Sequence, residues 1–509
     1  MKMRKLLSLG VSFVLVCSLL AGCAGESGGG SADSGTQAVQ ESAKEDTDSV
    51  SSSDEEPYVV KIIAYGDGTT EAAKAVSEAI SEKTRELYNI EVEIMKGYTV
   101  DQLNLMLTSG EKLDLFPLMT WEMSMSNLVS NGQLCSMTEL LPEHASQTWE
   151  SISEADWKCV TVNGEIYGVP MNKDKSSNSG FAIRKNVVDQ LGIDVDAIKT
   201  LDDVEEVLTQ VRDNTDYYPL VSSNGGLQGF LPCDDLGDGW GVLENIFDDD
   251  PTVVNWFETD TWTDLVHRMY DWNQKGLIMP DATSNTDSSM TTIGAVGCFT
   301  FGQLKPGVTR QASAEAGTEL LTGELYPAVS TTNQVASCYC IPASCEQPEK
   351  AMQILDLLYN DPEVANLFTN GIEGEHWVYT DKENNVIDYP EGKDANSTGY
   401  TVFSWAVPNQ MITPVREGDP LDLWDQLTEF NESAHNSIAK GFTWDNSAVL
   451  NEITACENVR TKYVNGLELG VLNPDETIPV FIEELKAAGI DTIIAEKQAQ
   501  LDAWLAKNN

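Results

Sequence analysis

The stretch YVVKIIAYGDGTTEAAKAVSEAISEKTRELYNIEVEIM, residues 58–95, changes its hydrophobic period twice. It begins with an apolar, β-rich run at 58–65, and residues 90–94 at its far end alternate between apolar and charged, as in a half-buried strand. Between these runs apolar residues recur at helical spacing: Ala73, Val76, Ile80 and Leu87. A strand, a glycine turn, a capped helix and a second strand predict a right-handed βαβ unit with parallel strands.

The same alternation of strand and helix signals continues along the chain. TVDQLNLMLTSGE predicts a helix that ends at Gly110, LDLFPLM a buried strand, and WEMSMSNLVSNG a helix that ends at Gly132. Asn163-Gly164 marks the turn of a hairpin. Further predicted elements are two buried strands and four amphipathic helices: IGAVGCFTFG, VASCYCIP, PEKAMQILDLLYN, WDQLTEFNESAHNSIAKG, PVFIEELKAAG and TIIAEKQAQLDAWLAK. Two blocks of alternating strands and helices favour two α/β lobes.

The first residues have the pattern of an export signal, which we assign to 1–22. MKMRK is positively charged, and the apolar run 6–20 is too short to span a bilayer. Leu20-Ala21-Gly22-Cys23 resembles the lipobox of bacterial lipoproteins, in which the cysteine thiol is acylated before cleavage. The alternative is an ordinary secreted protein in which the cysteine falls there by chance. The segment 23–56 has almost no large apolar side chain and is predicted to be a disordered tether that begins with the lipidated Cys23.

The composition limits the classes of partner. The chain has 81 acidic and 31 basic residues and a formal net charge of −50, so its surface repels nucleic acid and anionic lipid head groups. The acidic residues are spread along the chain, which indicates a solvated surface rather than a site. About 450 residues beyond the tether exceed what one hydrophobic core usually serves, and this predicts two domains.

Cysteine usage bears on the redox state of the exported chain. Eight cysteines follow Cys23: Cys135, Cys159, Cys233, Cys298, Cys338, Cys340, Cys345 and Cys456. Export permits disulfides, and an even number is compatible with pairing. These cysteines are scattered over a large domain and include no CxxC pair, so partly buried free thiols are favoured over disulfides.

Four stretches together resemble the extracellular solute-binding proteins of family 1, the lipoprotein components of ATP-driven importers. They are the lipobox-like segment at 20–23, SGEKLDLFPLMTWEMSMSNLVSNGQLCSMTEL, the hairpin VNGEIYGVPMN, and GIEGEHWVY at 371–379. GIEGEHWVY is similar to the signature of a subfamily whose C-terminal region is a domain of unknown function. Trp405-Ala-Val-Pro-Asn409-Gln410 resembles that subfamily's Trp-x-x-Gly-Asn-Gln stretch, except that Pro408 stands where glycine is common.

The resemblance implies an α/β fold of the type II periplasmic-binding-protein kind. In this fold two α/β lobes are joined by a multi-crossover hinge, and the ligand is held in the cleft between them. We expect the first lobe to comprise 57–171 and 292–337, and the second lobe 172–291 and 338–509.

Ligands of open α/β sheets bind beyond the carboxyl ends of the strands, so the turns that follow the predicted strands are candidate sites. Asp67 lies between two glycines after the first strand, where it either accepts ligand hydroxyl groups or caps the following helix. Trp121 and Glu122 follow the strand LDLFPLM on the same edge. Sugars offer C–H faces to aromatic rings and hydroxyl groups to carboxylates, so this pair predicts a carbohydrate site.

Later parts of the chain supply seven further candidate ligand-binding residues: Trp240, Phe301, Glu373, His376, Trp405, Asn409 and Gln410. For a single tryptophan, core packing is the commoner explanation. Trp405, like Trp121, has hydrogen-bonding residues beside it. For Glu373 and His376 in GIEGEHW, the alternatives to ligand contact are a structural turn or a contact with the importer.

The sequence contains no HExxH, GxSxG or P-loop motif, and its four histidines are widely spaced. DKENNVIDYPEG has Val386 where a calcium loop needs its sharp-turn glycine, so it predicts a hairpin rather than a metal site, and we expect no cofactor. The function expected is that of a monomeric, non-enzymatic binding protein, held at the membrane by Cys23, that passes a carbohydrate, an oligosaccharide, to ABC importer permease subunits and binds no nucleic acid. The alternatives are a protein that binds a peptide or other solute, a glycan-acting lipoprotein enzyme, and a sensor.

Overall fold

The computed structural model describes residues 56–221 and 230–508. The predicted signal segment, the lipidation site Cys23 and the tether up to residue 55 lie outside the described residues. The strands of the described chain are β1 Tyr58–Ile63, β2 Ile90–Met95, β3 Phe116–Leu118, β4 Thr161–Val162, β5 Glu165–Ile166, β6 Val169–Pro170, β7 Ser177–Arg184, β8 Tyr218–Leu220, β9 Gly297–Leu304, β10 Leu320–Ser330, β11 Cys338–Cys340, β12 Val378–Asp381, β13 Val386–Asp388, β14 Val415–Arg416 and β15 His435–Asn436.

The helices of the same ranges vary from one turn to five. They are α1 Thr70–Tyr88, α2 Val100–Ser109, α3 Met125–Ser130, α4 Leu140–His144, α5 Ser146–Ser151, α6 Glu154–Lys158, α7 Lys185–Leu191, α8 Leu201–Asn214, α9 Asp260–Gln274, α10 Ser289–Ala295, α11 Val308–Ala316, α12 Thr332–Val335, α13 Pro348–Asn360, α14 Pro362–Asn370, α15 Leu423–Ser433, α16 Leu450–Glu468, α17 Pro474–Ala488 and α18 Ile490–Asn508. Within the described ranges, no helix has the length and apolar character needed to cross a membrane.

The first lobe consists of residues 58–172 and 338–416 and surrounds one hydrophobic core. β1 and β2 pair in parallel and are connected by α1, which confirms the predicted βαβ unit. A parallel bridge from Ile62 to Leu115 places β3 beside β1, and β11 lies antiparallel to β3 and β6. The helices α1, α13 and α14 pack on one another, and α13 also packs on β1.

The second lobe consists of residues 177–330 and 435–508 and has its own core. Its five-stranded sheet has the order β15-β10-β7-β9-β8. β7 is antiparallel to both β9 and β10, and the edge strands β15 and β8 are parallel to their neighbours. The tryptophans of the 256–272 region, Trp256, Trp262 and Trp272, are fully buried in this core.

The chain therefore passes between the lobes three times, at 173–176, 331–337 and 417–434. The expected assignment of 292–337 to the first lobe is wrong, because β9 and β10 pair with β7 in the second-lobe sheet. Residues 338–416 were expected in the second lobe and instead contribute to the first. An apolar sequence predicts that a strand is buried, but the sequence does not indicate which of two sheets the strand joins.

Local predictions agree with the structure more closely than the lobe boundaries do. The hairpin of β4 and β5 turns at Asn163 and Gly164, and β12 and β13 form the hairpin expected of DKENNVIDYPEG. The predicted strand IGAVGCFTFG begins as the end of α10 and becomes β9 only at Gly297. Seven cysteines of the described chain are free thiols, as favoured: Cys135, Cys159, Cys298, Cys338, Cys340, Cys345 and Cys456.

Asp156 on α6 joins the two lobes through ion pairs. Its carboxylate lies 3.0 Å from the amine of Lys175 in the first crossing and 3.0 Å from the amine of Lys440 in the second lobe. Burial alone would raise the pKa of Asp156, but the two lysines outweigh it and hold that pKa below its ordinary value of 3.8. The carboxylate is therefore ionised in the folded protein at neutral pH.

We expect Asp156→Ala to lower the free energy of unfolding by about 3 kcal/mol, because removing one partner of a buried ion pair leaves the others without compensation. Urea titration at pH 7 measures the loss. Because the folded pKa of Asp156 is below the unfolded value, its stabilisation is complete above about pH 4 and is lost as the pH falls through the folded pKa. The difference between wild type and variant should therefore shrink in acid.

Glu154→Ala is the matched control on the same helix. Glu154 is exposed and lies 3.3 Å from Lys158, so removing this surface pair should cost less than about 1 kcal/mol. Equal losses in the two variants, or a loss in Asp156→Ala that does not change with pH, would contradict the role given to Asp156.

Candidate functional site

Three aromatic residues follow the three parallel strands of the first lobe. Tyr65 comes two residues after β1, Tyr98 three residues after β2, and Trp121 three residues after β3. Because β1, β2 and β3 run in the same direction, their carboxyl ends meet at one edge of the sheet. Trp121 was predicted at this edge, whereas Tyr65 and Tyr98 were missed, although the same count from the strand ends would have identified them.

These rings form an aromatic platform together with two rings from later in the chain. It comprises Tyr65, Tyr98, Trp121, Phe403 and Trp405. The centroid of the Tyr65 ring lies 6.1 Å from Tyr98, 5.8 Å from Phe403 and 5.6 Å from Trp405. Trp405 also lies 5.8 Å from Trp121 and stacks on Phe403 at 5.6 Å. Trp121 is 61% exposed and Phe403 41% exposed, so the platform presents ring surface to solvent.

Polar groups lie among the platform rings. The Tyr65 hydroxyl donates to Glu122 Oε1 at 2.9 Å. Burial raises the pKa of Tyr65, and Glu122 adds to the shift. The Tyr98 hydroxyl is buried without a hydrogen-bond partner among the described residues. An exposed aromatic surface beside a carboxylate suits a ligand with C–H faces and hydroxyl groups.

Asp67 lies beside the platform and is exposed. Its backbone carbonyl accepts from Thr401 N–H at 2.9 Å, and Phe403 N–H donates to the Tyr65 carbonyl at 3.0 Å, so the chain at 65–67 is paired with 401–403. The cap of α1 is Thr69, whose hydroxyl accepts from Ala72 N–H. The alternative reading of Asp67 as a helix cap is therefore wrong.

Lys96 follows β2 directly, at the same edge of the sheet as Asp67. Its amine donates to the Thr401 carbonyl and lies 4.6 Å from the centroid of the Tyr400 ring. Burial lowers the pKa of Lys96 to about 7, against an opposing effect of Asp67. Asp67 therefore has a cationic neighbour whose charge changes near neutral pH.

A cavity of about 160 Å³ lies between the lobes next to the platform. Thr120 and Met123, on either side of the Trp121-Glu122 pair, line it from the first lobe. Asp238 and Trp444 line it from the second lobe, and Asn333 of the second crossing completes it. We call it the interlobe cavity.

Asp238 organises the second-lobe side of this cavity. Its carboxylate accepts from the Trp444 indole N–H at 2.7 Å and forms an ion pair of 2.5 Å with Lys497, which is fully buried. Burial lowers the pKa of Lys497, and Asp238 is the largest opposing influence. Within GDGWG, residues 237–241, Trp240 was the predicted site residue, whereas Gly237 and Asp238 are the residues that line the cavity.

A second cavity of about 230 Å³ adjoins the first, and Asn333 lines both. Tyr326 and Asp235 are among its lining residues, and the Asn333 amide donates to Asp235 Oδ1 at 2.6 Å. Burial raises the pKa of the neighbouring Asp234 to about 6, with a further contribution from Asp235. Each cavity is smaller than the roughly 300 Å³ at which pockets for whole drug-sized ligands begin.

Five predicted site residues are buried in the structure, which argues against their assignment as ligand contacts: Trp240, Phe301, His376, Asn409 and Gln410. Trp240 is 3% exposed and packs against Phe257, and Phe301 is 6% exposed and packs against Phe230. Both rings belong to the second-lobe core. His376 is 4% exposed. Trp240 thus follows the commoner pattern, in which a single tryptophan packs in the core.

The GIEGEH loop is a structural turn. His376 Nδ1 accepts from Ile372 N–H at 2.9 Å, and the Trp377 indole donates to the Gly371 carbonyl at 2.9 Å. A Cβ atom on Gly371 would lie 2.5 Å from His376 Nδ1, so the turn requires glycine there. Burial lowers the pKa of His376. Glu373 is exposed and lines a separate cavity beside α14.

Asn409 and Gln410 lie near Trp405 in sequence but are buried in the first lobe. The Asn409 amide donates to the Tyr359 carbonyl at 2.8 Å, and its Oδ1 accepts from Asn172 at 3.0 Å. Gln410 donates to Ser404 at 3.1 Å. Asn409 therefore fixes the chain at 409 against Tyr359 and Asn172. Within the described ranges, no cluster of side chains has the composition of a metal site.

Comparison with known proteins gives relatives in sequence and in structure. Residues 438–506 match the model of a domain of unknown function, DUF3502. The chain is 26% identical over 424 residues to a protein of Streptococcus pneumoniae serotype 4 named carbohydrate ABC transporter substrate-binding protein, covering 79% of this chain and 82% of that protein.

Two solved structures have the same fold. The N-glycan transport solute binding protein NgtS from Streptococcus pneumoniae matches with a TM-score of 0.79 at 21% identity, covering 89% of this chain and 100% of that one. Its structure in complex with Man5GlcNAc matches with a TM-score of 0.68 at 21% identity, covering 89% and 99%.

The fold is thus the type II periplasmic-binding-protein fold predicted from the sequence. In sequence the chain is similar to a carbohydrate ABC transporter substrate-binding protein, and its residues 438–506 match a domain of unknown function like the one expected of the subfamily that the sequence resembles.

Proposed function

We propose that this protein captures an extracellular carbohydrate, an oligosaccharide, between its lobes and delivers it to the permease subunits of an ABC importer. The observation that carries the proposal is the aromatic platform, in which exposed rings lie beside Glu122 at the carboxyl edge of three parallel strands. This pairing of ring faces with a carboxylate is what a sugar unit requires. The names of the similar proteins support the same class of ligand.

The mechanism proposed is closure of the lobes around the ligand. The platform is on the first lobe, and Asp238 and Trp444 are on the second, so a ligand that contacts both is bound more tightly when the lobes are close together. Such a ligand shifts the population towards the closed form. The closed form is then what the permease recognises. The protein acts as a monomer and performs no chemistry on the ligand.

The place of action is outside the cytoplasm. We further propose that a lipid on Cys23 anchors the protein to the bacterial cell membrane. The segment between Cys23 and the globular part is rich in glycine, serine and acidic residues, a composition that gives a flexible chain. Such a tether lets the lobes turn towards the permease while the protein stays at the membrane.

We expect wild-type protein to bind neutral oligosaccharides, Man5GlcNAc among them, and to bind peptides weakly or not at all. Isothermal calorimetry against matched glycan and peptide panels measures this. Binding of a peptide without binding of any glycan would overturn the sugar assignment and leave a role in transport intact. Turnover of a bound glycan would instead favour an enzyme.

Trp121→Ala should lower the affinity for the best glycan of that panel roughly tenfold or more, because an exposed ring that anchors a ligand is a binding hot spot. Trp121 makes little contribution to the core, so the melting temperature should change little. Tyr218→Ala is the control, since Tyr218 is an exposed aromatic residue of the second-lobe sheet outside the platform. Equal affinities for the two variants would contradict the role of the platform.

Cys23→Ser should release the protein from the membrane fraction, because serine has no thiol to acylate. Fractionation of cells that express the wild type or the variant gives the comparison, with Cys135→Ser as the control for loss of a different thiol. A variant that remains in the membrane fraction as the wild type does would exclude the anchor.

A further inference from the structure

Residues 438–446, the start of the matched domain of unknown function, lie at the boundary between the lobes. They follow β15, which pairs with β10. The Thr332 hydroxyl of the second crossing accepts from Gly441 N–H at 2.9 Å and donates to the Ala439 carbonyl at 3.3 Å. We call residues 438–446 the second-lobe wall.

The second-lobe wall is also fixed against the first lobe. Lys440 forms the 3.0 Å ion pair with Asp156. One residue further, Gly441 approaches α6 so closely that a Cβ atom there would lie 2.7 Å from Lys158 Cβ, and its φ of +100° favours glycine. The position of the wall relative to α6 is therefore set by an ion pair and a backbone contact together.

Three side chains of this wall that carry polar atoms line the interlobe cavity, and two of them have an oxygen without a hydrogen-bond partner among the described residues. Thr443, Trp444 and Asn446 all line it. The Trp444 indole is satisfied by Asp238, whereas Thr443 Oγ1 and Asn446 Oδ1 are buried without a hydrogen-bond partner among the described residues. Buried polar atoms in native proteins are nearly always hydrogen-bonded, so unpaired atoms beside a cavity call for a partner from outside the chain.

We propose that the second-lobe wall forms the second half of the ligand site. When the lobes open and uncover their side-chain oxygens, Thr443 and Asn446 hydrogen-bond the hydroxyl groups of a neutral sugar unit. The inference rests on the proposed function and adds the residues and the ligand chemistry of the second lobe. It gives the start of the domain of unknown function a direct part in binding.

The chemistry of the wall favours a neutral ligand over an acidic one. Asn446 Oδ1 accepts hydrogen bonds, and the Thr443 hydroxyl accepts or donates. Asp238 lines the same cavity and Asp235 the adjoining one. The cation that faces Asp238, Lys497, is fully buried and already paired with it. A sugar hydroxyl supplies donors to such a surface, whereas a carboxylate has none to offer and is repelled by the two aspartates.

Calorimetry with Man5GlcNAc tests the proposal in the full chain. Thr443→Val and Asn446→Leu preserve size and remove the hydrogen-bonding atoms, and each should lower the affinity about three- to tenfold. Since each substitution also removes a buried unpaired polar atom, the melting temperature of the unliganded protein should stay equal or rise. A tri-galacturonate probe should bind the wild type at least tenfold more weakly than Man5GlcNAc.

The matched controls are Thr454→Val and Asn458→Leu, two exposed positions on α16 within the same domain. These should bind Man5GlcNAc as the wild type does. Unchanged affinity in Thr443→Val and Asn446→Leu, together with weakened binding in Trp121→Ala, would overturn the ligand-binding role of the second-lobe wall. It would leave the proposed function of the protein intact. Loss of both stability and affinity in the two wall variants would assign them a structural role and also overturn the inference. Failure of the wild type to bind any glycan of the panel would overturn the proposed function itself.

Discussion

The ion pairs of Asp156 are the constraint on which the arrangement of the lobes depends. One carboxylate on α6 holds Lys175 of the first crossing and Lys440 of the second lobe at 3.0 Å each. Burying any one of these charges without its partners would cost free energy, so the three charged groups are stable only together. A hinge motion that preserves these bonds pivots near α6. The aromatic platform and the second-lobe wall then move relative to each other while the chain at the pivot stays fixed.

The two halves of the proposed site are built on different physical principles. The platform depends on sheet geometry, because three parallel strands bring Tyr65, Tyr98 and Trp121 to one edge. The second-lobe side depends on a buried network, in which Lys497 and Trp444 both bind Asp238. A sheet edge places rings without further support, whereas the network must be complete to be stable. Substitutions at Asp238 are therefore expected to disturb structure as well as binding, unlike those at Trp121.

Much of the fold followed from local pattern, because periodicity and turn residues act over short distances. The βαβ unit and the hairpin at Asn163-Gly164 are examples. The lobe to which a strand belongs could not be predicted in this way, because the apolar sequence of β9 would suit the buried sheet of either lobe. Within the candidate site, Trp121 and Trp405 were predicted because hydrogen-bonding residues stand beside them in the sequence. Asp238 was missed because its partners, Trp444 and Lys497, are far from it in sequence and leave no local signal.

The three crossings make both lobes discontinuous in sequence. The first lobe lacks residues 338–416 until the chain has passed through most of the second, and the second lobe lacks its last three helices until the end. A chain that is synthesised from its N-terminus onwards therefore cannot complete one lobe before the other has begun. Apolar strands such as β3 stay uncovered until their partner strand has been synthesised, and the partner of β3 is β11. The architecture that creates a cleft thus also delays the burial of both cores until nearly the whole chain is present.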